Sequence, residues 1–62
     1  MSFQLTTRPA SEVAVDDRVV TRAGRCFVAD VVVHGDQVTI VTDLGELLLC
    51  NATTPVTIAE WV

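Results

Sequence analysis

The chain has 62 residues, half of them hydrophobic, with 19% charged residues and a formal net charge of −4. That length allows one domain, and so short a chain buries only about 60% of the surface its unfolded state exposes. The composition is too apolar for a disordered tail. The four cations are all arginine, whereas a nucleic-acid binder normally carries a basic stripe.

Residues 1 to 8 place Phe3 and Leu5 on one side of a short strand and Gln4 and Thr6 on the other, an arm expected to dock on the sheet. Pro9 then forces an extended or turn conformation on Arg8. Ser11 is positioned to cap one helical turn over Glu12 to Val15, which Asp16 and Asp17 stop. A first strand runs from Arg18 to Arg22 and turns at Ala23-Gly24. A long second strand follows from Cys26 to His34, in which Phe27, Ala29, Val31 and Val33 alternate with Val28, Asp30, Val32 and His34.

Gly35-Asp36 predicts a two-residue hairpin turn, with the glycine supplying a positive φ at the first central position. Val38 and Ile40 share one face of the next strand, opposed by Thr39 and Val41. Asp43-Leu44-Gly45 makes a longer turn, Gly45 suiting a left-handed conformation. Glu46 to Cys50 form a fourth strand, with Leu47 and Leu49 expected inward. Residues 51 to 55 are polar and suggest a single 3₁₀ turn before a last strand, Val56 to Val62. Valine dominates the apolar residues and suits a pleated sheet better than a helix. The expectation is an all-β fold of five short strands closing into a small barrel, since open edges on a Val-rich sheet invite aggregation.

The segment Glu12-Val13-Ala14-Val15-Asp16-Asp17-Arg18-Val19 resembles the opening of many small SH3-like barrel domains, including the KOW type. Asp16 stands where glycine is usual in them, and aspartate tolerates a left-handed φ better than most residues. The run from Thr42 to Leu47 followed by Thr53-Thr54-Pro55-Val56 is similar to the closing of short, uncharacterised barrel proteins of actinobacteria and their phages. The resemblance covers residues 12 to 58 and implies a five-stranded SH3-like barrel with a 3₁₀ turn before the last strand, spanning residues 1 to 62 as one domain with residues 1 to 10 as an arm. It says little about activity, since a fold does not imply a function.

No catalytic, cofactor or metal constellation emerges. His34 is the only histidine and sits beside a turn, and metal ligation needs several convergent groups. Cys26 and Cys50 have neither zinc spacing nor a disulfide framework, and the absence of a signal-like N-terminus makes the cytoplasm the expected location. No apolar run approaches a membrane span of roughly 20 residues.

Surplus apolar surface is the functional clue. If the barrel is filled by Phe27, Ala29, Val31, Val33, Val38, Ile40, Leu47, Leu49, Val56 and Ile58, then Val28, Val32, Val41 and Leu48 form an outward patch. Contiguous apolar patches mark interfaces. The expected function is therefore a non-catalytic interaction module, binding a second copy or another protein through that patch, with no cofactor and no small-molecule substrate. Arg18, Arg22 and Arg25 carry the alternative of a KOW-like nucleic-acid surface, against which the net charge argues. An oligomeric small-barrel enzyme of the type II dihydrofolate reductase kind is the third reading, and Leu47-Leu48-Leu49-Cys50 offers it no polar side chain to hold a ligand.

Overall fold

A computed structural model describes residues 2–61; Met1, Val62 and the side chain of Trp61 lie outside it, and with them the expected end of the last strand. Among the described residues the fold is all-β: one open antiparallel sheet of six strands and one 3₁₀ turn. The strands are β1 (Phe3–Pro9), β2 (Arg18–Thr21), β3 (Gly24–His34), β4 (Gln37–Thr42), β5 (Leu47–Asn51) and β6 (Pro55–Trp61). Their order across the sheet is β1-β6-β2-β3-β4-β5.

The sixth strand comes from the arm. Residues Phe3 to Pro9 pair in continuous register with Trp61 to Pro55, so the N-terminal segment forms an edge of the sheet. The 3₁₀ turn also differs from expectation. It lies at Ala10–Glu12, with Pro9 at its start and no side-chain cap from Ser11. The segment before β6 is instead a simple turn closed by the Thr54 N–H on the Asn51 carbonyl. The two are stitched together, because the Ala10 and Ser11 amides donate to the Thr54 and Ala52 carbonyls.

Turn chemistry follows the residues more closely. His34 pairs with Gln37 across a two-residue loop in which Gly35 has φ +60°. Gly45 has φ +81° and closes its turn by donating to the Thr42 carbonyl. Asp16 has φ +75°, a left-handed conformation that aspartate tolerates better than most residues.

One face of the sheet lines a single core of Ala10, Val13, Val19, Cys26, Val28, Val38, Ile40, Val56 and Ile58, with Val31, Leu48 and Cys50 packed against it. Val38, Ile40, Val56 and Ile58 are buried as expected. Phe27, Ala29, Leu47 and Leu49 are exposed instead, and two backbone features explain why; Val33 is exposed as well, although it pairs with the buried Val38 near the end of its strand.

In β3 the register shifts between Val28, which pairs with Thr42, and Asp30, which pairs with Val41. Ala29 is the extra residue of a β-bulge, and such a residue reverses side-chain parity along the strand. Even-numbered Cys26 and Val28 therefore point inward before the bulge, and odd-numbered Val31 after it. In β5, the three-residue turn pairs Val41 with Leu47 and Ile40 with Leu48. Opposed residues share a face, so Leu48 and Cys50 join Ile40 and Val38 on the core side while Leu47 and Leu49 face out.

Candidate interaction surface

The outer face of β3, β4 and β5 can be read off the register. Val32 lies beside Thr39, which lies beside Leu49; Asp30 lies beside Val41, which lies beside Leu47. Four apolar side chains, Val32, Val41, Leu47 and Leu49, thus occupy adjoining sites on three consecutive strands. Leu49 is 79% exposed, Leu47 61% and Val32 50%. Directly opposed residues on neighbouring strands have Cβ atoms about 4.5–5.5 Å apart, which brings Val41 against Leu47, while Val32 and Leu49 flank Thr39 from either side.

Two of the four residues expected in the patch are elsewhere. Val28 is 1% exposed and belongs to the core. Leu48 is half-buried and packs on the core from β5. Val32 and Val41 do lie on the outer face. Leu47 and Leu49 were missed because a Leu-Leu-Leu run has no polar residue to mark its phase. The signal that could have found them was the three-residue spacing of Asp43-Leu44-Gly45, which sets the parity of the next strand.

The arginines sit on the outer face at the other half of the sheet. The Arg18 guanidinium carbon is 4.9 Å from the Phe3 ring centre and 4.7 Å from that of Phe27. Arg25 lies 4.1 Å from the centre of Phe3. All three distances fall within cation–π range. Arg22 is separate from this group, exposed in the turn between β2 and β3. Phe27 is therefore a partner of Arg18 and not a core residue, and Phe3 is held under two arginines. Nearby, Arg8 forms an ion pair with Glu60 and lies 3.9 Å from Asp17.

His34 and Asp36 are exposed at the hairpin between β3 and β4. Cys26 is buried, Cys50 is half-buried, and both are free thiols. Among the described residues, no three His, Cys, Asp or Glu side chains converge as a metal site would require. No helix in the same residues is long and apolar enough to cross a membrane. Comparison with family models, with curated proteins and with solved structures returned no match.

Proposed function

We propose that this chain is a non-catalytic protein-interaction module that self-associates or binds a protein partner through the outer face of β3, β4 and β5. The observation that carries this reading is the adjacency of Val32, Val41, Leu47 and Leu49 on that face, with the two leucines mostly exposed. Fully burying a leucine side chain contributes roughly 1.5–3 kcal/mol. The exposed parts of Leu47 and Leu49 thus supply on the order of 1–2 kcal/mol each when covered. Two copies contribute four such leucines, on the order of 4–8 kcal/mol, which is comparable with the lower part of the association cost. The leucines by themselves thus offset that cost, and net association draws on further contacts, Val32 and Val41 among them.

The fold proposed with it is a small SH3-like barrel. Its support is the long third strand, which pairs first with β2 and then, from Val28 across the bulge at Ala29, with β4 around one shared core.

Sedimentation velocity from about 5 to 500 μM tests the function. The parent chain is expected to sediment as a species larger than 6.7 kDa at the upper end. Leu49→Asp and Val41→Asp should move it to the monomer while leaving the circular dichroism spectrum unchanged. A parent chain that stays monomeric throughout, and retains no protein from a lysate that the Leu49→Asp chain releases, sinks the reading.

A second reading has one observation of its own: Arg18 and Arg25 gather over Phe3 and Phe27 on the β1-β6-β2-β3 half of the outer face. Aromatic rings beside arginines suit single-stranded nucleic acid. Such binding must weaken steeply with salt, and a labelled oligonucleotide showing no mobility shift at low salt dismisses it.

A further inference from the structure

The two free edges of the sheet are unlike. β1 ends in Arg8 and Pro9, a charge and a residue without an N–H, both of which discourage another strand from pairing. β5 reads Leu47-Leu48-Leu49-Cys50-Asn51, with no charge and no proline, and among the described residues it has a strand neighbour on one side only.

Hydrogen-bond phase decides which groups that edge presents. The Thr42 amide donates to the Glu46 carbonyl, and at the other end of the β4–β5 pair the Ala52 amide donates to the Asp36 carbonyl. Residues of an antiparallel pair alternate between bonded and non-bonded positions. The bonded pairs are therefore Ile40 with Leu48 and Val38 with Cys50. The N–H and C=O of Leu47, Leu49 and Asn51 point the other way, to the open edge. Asn51 is already used, since its N–H donates to the Thr54 hydroxyl and its carbonyl accepts from the Thr54 N–H. Leu47 and Leu49 remain, and they also carry the two most exposed side chains of the apolar patch.

From this we infer that two copies of this chain join edge to edge through β5, antiparallel, about a twofold axis at Leu48. The inference rests on the reading of the β3–β5 half of the sheet as self-associating and specifies the edge by which the second copy joins. An isologous contact must be self-complementary, and this register is. Leu47 faces Leu49 of the other copy, and each such rung exchanges two N–H···O=C bonds, giving four in all. Shifting the axis to Leu49 would oppose Leu47 to Asn51, whose groups are taken by Thr54. Shifting it to Leu47 would oppose Leu49 to Gly45, whose N–H is held by the Thr42 carbonyl.

Charge is compatible with the same register, which places Glu46 opposite Cys50 and brings no carboxylate against another. On the core side, the half-buried Leu48 side chains of the two copies meet at the axis. On the outer side, an axis perpendicular to the sheet merges the two apolar patches into one face spanning six strands. The stitched 3₁₀ turn blocks the edge beyond Asn51, which confines pairing to these residues.

The test is the full 62-residue chain made by chemical synthesis with an N-methyl group on the Leu49 amide, beside the parent chain and Leu49→Asp. The methyl group keeps the side chain and touches no bond to β4. Two of the four bonds across the edge go, so the dimer should weaken by roughly a hundredfold in sedimentation, with an unchanged circular dichroism spectrum. In the unmodified chain, hydrogen exchange at the Leu47 and Leu49 amides should slow as concentration rises through the dimer range. If the methylated chain dimerises as well as the parent while Leu49→Asp does not, or if both amides exchange freely at dimer concentrations, edge pairing is overturned and face-on packing of the patch stands. A parent chain monomeric at every concentration overturns edge pairing, and the wider reading then depends on capture of another protein.

Discussion

Val28 tests the parity of the sheet at a single residue. Sequence alternation puts Val28 and Val32 on the same outer face, whereas the bulge at Ala29 sends Val28 into the core and leaves Val32 half-exposed. Val28→Ala deletes two methyl groups from a side chain only 1% exposed. Transfer of about 0.8 kcal/mol per group gives about 1.6 kcal/mol. A residual cavity of roughly 40 Å³ at about 24 cal/mol per Å³ adds about 1 kcal/mol. The expected loss is near 2.5 kcal/mol, a large part of the roughly 3–9 kcal/mol available to a chain of this size. Val32→Ala removes groups that are half in water, leaves no cavity, and should cost below about 1 kcal/mol. Urea titrations at low micromolar concentration separate the two, and thermal melts should show Val28→Ala lower by roughly 10–20 °C. Equal losses for both variants, or a larger one for Val32→Ala, would refute the bulge and the assignment of faces built on it.

Five further substitutions probe the turns and the arginine cluster. Thr42 is 2% exposed and its hydroxyl accepts the Glu46 amide at 3.1 Å; Thr42→Val leaves that N–H unsatisfied and should cost about 1–2 kcal/mol in urea unfolding. Asp16→Gly relieves a non-glycine residue at φ +75° and should raise the melting temperature by a few degrees, whereas Gly45→Ala, forced into φ +81°, should lower stability by about 1–2 kcal/mol. A double-mutant cycle with Arg18→Gln and Phe27→Ala should return a coupling of about 0.5–1 kcal/mol for the 4.7 Å stack. A coupling indistinguishable from zero would mean that Phe27 lies outside the core for some other reason.

Reading the chain residue by residue located the turns well and the faces poorly. Gly35 and Gly45 adopt positive φ where the turn chemistry demands it, and Asp16 adopts the left-handed conformation that aspartate tolerates better than most residues. Those are local demands, visible in a few neighbouring residues. The candidate surface was half legible: Val32 and Val41 lie on the outer face, while Val28 and Leu48 do not. Alternation marks a face only when polar residues occupy the other one. In Val31-Val32-Val33 and Leu47-Leu48-Leu49 they do not, so the phase is set by the bulge and by the turn. The Phe3 arm was expected to dock, but its pairing with the last strand joins segments from the two ends of the chain, a contact no local pattern encodes.

Composition and local pattern together determined that this chain is all-β, valine-rich, and supplied with more apolar surface than one small sheet can bury. Tertiary structure alone decided which side chains make up the surplus. One unpaired residue at Ala29 reverses β3, and one three-residue turn sets β5, because a side-chain period of two converts any odd insertion into a change of face. The same rule brings the free backbone groups of Leu47 and Leu49 and their exposed side chains to one edge.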